Sequence, residues 1–157
     1  MNLEQLWLIG GAALALFWML GATDGHAKNF SLFLRPGESF EMTPLYDVLS
    51  VYPLLGEGPG KLSPHKAHLA MAVRGKNAHW HLNKILRRHW QDVGTRYGIA
   101  SPSGLTVDAL IAKVVQHTPT AVHSVQQKLP QGFPQQVAQS IFDGLIQAAE
   151  RLGRVYG

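Results

Sequence analysis

The sequence predicts a mainly α-helical fold with one small β-hairpin. Several long stretches repeat apolar residues every three or four positions, which is the period of a helix that buries one face. One shorter stretch alternates loosely on both sides of a turn signal, as the two strands of a hairpin do. A chain of 157 residues can bury one modest core, so we expect a single domain.

The first element is an apolar helix over residues 3–22. Glu4 is the single ionisable residue in this stretch, and Lys28 is the one basic residue close behind it. The stretch is long enough to span a bilayer. Signal peptides and oriented membrane segments need flanking positive charges, which are otherwise missing here. We therefore favour a buried helix and keep a membrane segment as the alternative.

The hairpin follows directly. Residues 30–34 form its first strand, an Arg-Pro-Gly run at 35–37 supplies the turn, and residues 40–45 form the returning strand. A hairpin brings the residues on its two sides together. This arrangement would place Asn29 next to Asp47.

The rest of the chain is expected to be mostly helical. Residues 54–60 form a loop rich in glycine and proline, Ser63-Pro64 has the form of a helix start, and residues 69–73 resemble a short strand. The predicted helices cover residues 78–90, 107–116 with Thr106 as the cap, 118–128 and 134–154. The apolar spacing of the last helix assigns to the core Val137, Ile141, Leu145, Ala148 and Leu152.

Composition excludes some kinds of site. The chain has no cysteine, which rules out disulfides and thiolate metal sites. The pairs His65/His68 and His79/His81 have no carboxylate within several residues, so we interpret them as ordinary polar side chains rather than zinc ligands. The net charge of +4 indicates a mildly basic surface that suits an acidic partner, a nucleotide or a nucleic acid.

The strongest functional signal is an Asp-x-x-x-x-Asn pattern at Asp24 and Asn29, followed by Asp47. In phosphoryl transfer, one Asp orients a hydroxyl and takes its proton, while an Asn and a second Asp hold magnesium. Mg²⁺ prefers such oxygen ligands and completes its shell with water and substrate phosphates. The alternative is structural, with Asp24 and Asn29 as turn residues and Asp47 as a helix cap. Spacing alone leaves both interpretations open.

The residues around this pattern resemble the HipA family of bacterial serine/threonine protein kinases, which are toxins of type II toxin–antitoxin systems. The resemblance is carried by Trp18-Met19-Leu20-Gly21-Ala22-Thr23-Asp24-Gly25-His26-Ala27-Lys28-Asn29-Phe30-Ser31, Leu45-Tyr46-Asp47-Val48-Leu49-Ser50 and Tyr52-Pro53-Leu54-Leu55-Gly56. It implies that residues 1–157 form the C-terminal, helical lobe of a protein-kinase-like fold. The implied parts are a catalytic loop at 21–31, a metal-binding segment at 45–50 and a helical subdomain at 63–157.

The resemblance also implies a role for each residue of the motif. Asp24 matches the catalytic base, and Asn29 and Asp47 match the metal ligands. The implied cofactors are ATP and Mg²⁺, and the implied reaction transfers the γ-phosphoryl group to a serine or threonine of a protein. Lys28 could also steady a phosphate, although a solvated loop lysine is an equal alternative. The residues expected at the nucleotide site are His26, Ala27, Lys28, Asn29, Tyr46 and Asp47.

Partners and a compartment follow from the same resemblance. HipA proteins assemble with a HipB-like helix-turn-helix antitoxin and its operator DNA, and their substrate is an aminoacyl-tRNA synthetase. The expected location is the cytoplasm. Arg87, Arg88 and Arg96 form a basic cluster that could serve such contacts, although we favour a solvated helix face.

The chain departs from the family pattern at its start. The residues before Asp24 contain no glycine-rich phosphate loop, so we expect no nucleotide lobe ahead of the catalytic loop. The chain should then be inactive by itself and need a separate nucleotide-lobe chain. The alternative is an inactive remnant that binds partners. We also expect the first helix to keep one open apolar face, in the stretch that contains Trp7, Leu8, Phe17 and Trp18.

Overall fold

The computed structural model describes residues 3–37, 39–98 and 106–154, with side chains from residue 10 onward. Four α-helices dominate it: α1 (Leu3–Leu20), α2 (Arg87–Tyr97), α3 (Val107–Gln126) and α4 (Gln135–Gly153). Its strands form two antiparallel hairpins: β1 (Leu32–Arg35) with β2 (Ser39–Met42), and β3 (His68–Arg74) with β4 (Ala78–His81). The mainly helical prediction is confirmed, and a second hairpin joins the one predicted.

The predicted helix over residues 78–90 is wrong in its first half. Residues 78–81 instead form β4, which pairs with the predicted strand through Val73 opposite His79. The glycine turn at residues 75–77 reverses the chain and lets β4 use the hydrogen bonds of β3, so strand pairing overrides local helix propensity. Helix α2 begins only at Arg87. Ser63-Pro64 likewise starts a turn, closed by the bond from Lys66 N–H to the Ser63 carbonyl at 2.9 Å, rather than a helix.

Helix α3 is continuous where the sequence predicts two helices. Its start is as expected, because the Thr106 hydroxyl accepts a hydrogen bond from Ala109 N–H at 3.2 Å. Pro119 lies inside the helix and removes one backbone donor. The buried Thr118 hydroxyl donates to the Val114 carbonyl at 2.7 Å, in the turn before the proline.

The core forms where α1 meets α4, β3 and α2. Phe17 and Trp18 are fully buried in it, and Trp18 Nε1–H donates to the Leu82 carbonyl at 3.0 Å. The expected open face of α1 therefore excludes these two residues and falls on Ala12 and Leu16, which are exposed. The side chains of Trp7 and Leu8 lie outside the described residues. In the described part of the chain, no helix is both long and apolar enough to cross a bilayer.

Helix α4 closes the core with a face rotated slightly from the predicted one. Ala148 and Leu152 are buried as predicted, but Val137 and Ile141 are only half-buried, and Ala138 and Phe142 take the inner positions. Glycine at position 144 lets the ring of Tyr52 press against the helix, where a Cβ would lie 2.3 Å from a ring carbon. The Tyr52 hydroxyl donates to the Met19 carbonyl at 2.9 Å, and burial raises the pKa of Tyr52 to about 12. Tyr52 thus ties α4 to the end of α1, directly ahead of the predicted catalytic loop.

Candidate active site

The candidate site begins where α1 ends. Gly21 has a left-handed backbone (φ 62°), which ends the helix and turns the chain into a loop. Two long-range bonds fix this loop: Val51 N–H donates to the Gly21 carbonyl at 2.9 Å, and Ala70 N–H of β3 donates to the Thr23 carbonyl at 3.0 Å. The loop therefore rests on two other parts of the fold.

Asn29 is the buried centre of the site, with 4% of its surface exposed. Its Oδ1 accepts a hydrogen bond from His26 N–H at 2.9 Å, which closes the short 3₁₀ turn Ala27–Asn29. Its Nδ2 donates to Asp47 Oδ2 at 3.3 Å, across eighteen residues of chain. This bond confirms the predicted juxtaposition of Asn29 and Asp47, which lie on the two sides of hairpin β1–β2.

Asp47 has an unusual backbone. Its φ of 57° makes it the one non-glycine residue of left-handed conformation among those described. Asp and Asn adopt this conformation more readily than other side chains, but it is still sparsely populated. Such conformations persist where the surrounding structure enforces them, and they concentrate at functional sites. The exposed Asp47 carboxylate is thereby held beside Asn29.

Tyr46 is the residue that ties the Asp47 segment to the loop. Its hydroxyl donates to the Lys28 carbonyl at 2.7 Å and accepts from the Ser31 hydroxyl at 2.8 Å. The sequence predicts Tyr46 as part of a nucleotide site, and the structure gives it a positioning contact. Ser31 was not predicted as a functional residue, because its bond to Tyr46 depends on the register of the hairpin.

The remaining predicted residues lie in the same loop without joining the Asn29–Asp47 contact. Asp24, Ala27 and Lys28 are exposed, and the Asp24 carboxylate has no hydrogen bond or ion pair within the described residues. His26 is half-buried, and its Nδ1 has no partner there. Asp24 and Lys28 are thus free to meet a ligand above the loop.

The site offers a cation a partial set of oxygen ligands. The Asp47 carboxylate is exposed, and an amide oxygen has two lone pairs, so Asn29 Oδ1 can keep its hydrogen bond and still ligate. The hydrogen bond from Asn29 Nδ2 to Asp47 Oδ2, 3.3 Å long, holds the two candidate ligand side chains next to each other. No cluster of three or more His, Cys, Asp or Glu suited to a metal occurs in the described ranges. These residues fit Mg²⁺ that takes its other ligands from water and phosphate.

An open apolar groove of about 690 Å³ lies beside the loop. It is bounded by α1, the loop itself, hairpin β1–β2, β3 and α2. The apolar face of the hairpin continues it, because Leu32 pairs with Met42 and Leu34 with Phe40. Leu34 is 84% exposed. The sequence predicted the hairpin, but it did not predict this groove.

Two of the three arginines of the basic cluster, Arg87 and Arg96, make contacts within the fold. Arg87 forms an ion pair with Asp108 and also donates to the Leu152 carbonyl at 3.3 Å. Hydrogen bonds from Arg87 and Gln91 hold the pKa of Asp108 below its usual value. Arg96 donates to the Gly75 carbonyl at 3.0 Å. Of the three arginines, Arg88 alone remains a simple exposed cation among the described residues, which agrees with a solvated helix face.

Tyr46→Phe should loosen the Asp47 segment. The substitution removes both hydroxyl bonds and leaves the ring, so we expect little change in stability, about 0.5–1.5 kcal/mol. Divalent cations should bind roughly 10-fold more weakly, as is usual when a residue that positions a ligand is lost. Titration of Mn²⁺ into both proteins measures this, with Ser140→Ala, which removes a hydroxyl bond within α4, as the control. Unchanged Mn²⁺ affinity would show that Tyr46 does not position the ligand.

Comparisons with known proteins identify the family and the fold of the chain. The family described as HipA-like C-terminal domain matches residues 8–122. A solved structure of HipA from Shewanella oneidensis MR-1, in a complex of that toxin–antitoxin system with HipB and operator DNA, superposes with a TM-score of 0.64 at 23% identity. The match covers 90% of this chain and 30% of that one, so this chain spans less than a third of that HipA. The family match extends over most of the sequence, and the chain belongs to the HipA-like C-terminal domain family.

Proposed function

We propose that this chain is the catalytic lobe of a HipA-type protein kinase. The supporting observation is the contact of buried Asn29 with Asp47, whose backbone is left-handed, at the end of a loop that also carries Asp24. The reaction would move the γ-phosphoryl group of ATP to a serine or threonine hydroxyl of a protein. The bond from phosphorus to the β–γ bridging oxygen breaks, a bond to the hydroxyl oxygen forms, and ADP leaves.

Six polar residues of the site would each have a place in this reaction. Asp24 is exposed and unpaired among the described residues, so it can accept a hydrogen bond from the substrate hydroxyl and take its proton. Asn29 and Asp47 would hold Mg²⁺, which neutralises phosphate charge when bound. Lys28, also exposed, can face the phosphates as a point charge. Tyr46 and Ser31 keep the two segments in register.

The reaction also needs a nucleotide lobe, on the same polypeptide or on a second chain. In kinases that lobe supplies the glycine-rich loop and a lysine for the phosphates. The groove and the apolar hairpin face are where such a lobe would dock, because both adjoin the catalytic loop. Contiguous exposed apolar surface of this kind commonly marks an interface.

The exposed hairpin face also favours a second candidate, a partner-binding module without catalytic turnover. In this case Leu34 and its neighbours would bind a partner whether or not phosphoryl transfer occurs. By analogy with the Shewanella complex, the partner would be a HipB-like antitoxin on operator DNA. If the chain is instead the kinase lobe proposed first, its protein substrate would be an aminoacyl-tRNA synthetase. Both candidates would act in the cytoplasm.

Mg·ATP should bind this chain weakly without a nucleotide lobe. Adenine and most phosphate contacts would be missing, so we expect a dissociation constant near millimolar or weaker, about −4 kcal/mol or less favourable. Isothermal titration calorimetry measures it. Addition of a nucleotide lobe from a HipA-family protein should tighten binding and allow transfer from radiolabelled ATP. A low-micromolar constant for the chain alone would contradict the requirement for that lobe.

A further inference from the structure

Two histidines outside the candidate active site stack face to face. The rings of His79 on β4 and His89 on α2 have centroids 3.6 Å apart and planes that differ by 11°. His89 is buried, with 6% of its surface exposed. The stacked rings form a contact between the second hairpin and the first turn of α2.

His89 also caps its helix. It is the third residue of α2, and its Nδ1 accepts a hydrogen bond from Leu86 N–H at 3.1 Å. Glu or Gln makes the same bond from this position in a capping box. A nitrogen that accepts a hydrogen bond carries no proton, so neutral His89 must hold its proton on Nε2.

Protonation of His89 would oppose this arrangement in three ways. It would remove the acceptor for Leu86 N–H, place a positive charge at the positive end of the helix dipole, and bring a charged ring against the ring of His79 at 3.6 Å. Burial lowers the pKa of His89, and His79 and Arg88 lower it further, whereas Asp92 raises it. His79 on β4 and Arg88 and Asp92 on α2 are the charged or titratable groups that act on His89.

We propose that the His79–His89 stack is an acid-sensitive latch that holds α2 against the second hairpin. The hairpin matters to the active site because Ala70 N–H of β3 donates to the Thr23 carbonyl, directly before Asp24. With His89 neutral, its Nδ1 bond and the ring stack keep the latch closed. Protonation opens it and loosens the support of the catalytic loop.

The direction of the pH dependence follows from the lowered pKa. A histidine in the unfolded chain has a pKa near 6.5, which is above the pKa of His89 in the folded chain. At a pH between these two pKa values, the unfolded state therefore binds more protons than the folded state. The contribution of the latch to stability is therefore fully present above about pH 6.5 and is lost as the pH falls towards the folded pKa.

Thermal unfolding of the full chain between pH 8 and pH 5 tests the latch with three proteins. His89→Gln keeps an acceptor for Leu86 N–H but cannot titrate. His117→Gln removes an exposed histidine of α3 as the control. Over this range, wild type and His117→Gln should lose several degrees of Tm more than His89→Gln, which lacks the stacked ring and therefore starts from a lower Tm at pH 8. Equal pH dependence in His89→Gln and wild type would overturn the proposal.

A second measurement uses the wild type alone. Nitrogen chemical shifts of the imidazoles should show His89 with an unprotonated Nδ1 at neutral pH and a pKa below 6.5. The amide signal of Ala70 should shift with the same pKa, since Ala70 lies in β3 and its N–H donates to the Thr23 carbonyl. A His89 pKa at or above 6.5, or an Ala70 signal that does not follow it, would overturn the latch.

Discussion

Asp47→Asn is expected to abolish phosphoryl transfer while the fold remains intact. Asparagine adopts the left-handed backbone of position 47 as readily as aspartate, so the variant removes the charge and keeps the conformation. Loss of an anionic Mg²⁺ ligand should lower the transfer rate by at least about 100-fold. The assay combines this chain with a nucleotide lobe of a HipA-family protein and measures label moved from ATP to a protein substrate.

Two further variants make this result specific. Asp24→Asn should lower the rate by about 10²–10⁴-fold, since it removes the base but leaves the metal site. Asp143→Asn is the control, because Asp143 is an exposed aspartate of α4 whose one hydrogen-bond partner among the described residues is Gln139. Transfer that survives Asp47→Asn would remove Asp47 from the metal site. Binding of the added lobe with no transfer in any of the proteins would favour the partner-binding module.

Gly25→Ala should disturb both stability and the site. A Cβ at this position would lie 2.5 Å from Cδ2 of Phe17, whose ring is fully buried and packs 5.6 Å from the ring of Phe30. The ring cannot move aside freely, so the loop that carries Asp24 must shift. Overpacking of this kind costs about 1–3 kcal/mol, which chemical denaturation can measure.

Two comparisons identify the cause of that loss. Gly10→Ala on α1 meets no atom within 4 Å and should stabilise the helix by up to about 1 kcal/mol. Phe17→Leu with Gly25→Ala should cost less than the sum of the two single changes, since the smaller side chain makes room. Additive losses would show that the ring contact is not the reason glycine is needed at position 25.

The parts of the fold that the sequence predicted depend on local signals. The hairpin that joins Asn29 to Asp47 was predicted because a strong turn signal lies between two apolar runs. The helix start at Thr106 was predicted because the cap bond forms within four residues. Such features need no knowledge of distant residues.

The errors and omissions depend on distant contacts. Residues 78–81 form a strand because they pair with β3, which the local sequence does not indicate. The bonds of the Tyr46 hydroxyl to the Lys28 carbonyl and the Ser31 hydroxyl join residues that are 15 or more positions apart, and they depend on hairpin register. The apolar groove is formed by several separate elements, so no single stretch of sequence indicates it.

Paramagnetic broadening by Mn²⁺ decides whether Asn29 and Asp47 form a cation site. In the ¹⁵N-labelled chain, the amide signals of Asn29 and Asp47 should broaden at the lowest Mn²⁺ concentrations. Asp47→Asn should remove this effect and Asp143→Asn should leave it unchanged. Broadening that persists in Asp47→Asn, or that centres on the histidines instead of this pair, would show that Asn29 and Asp47 do not bind the cation.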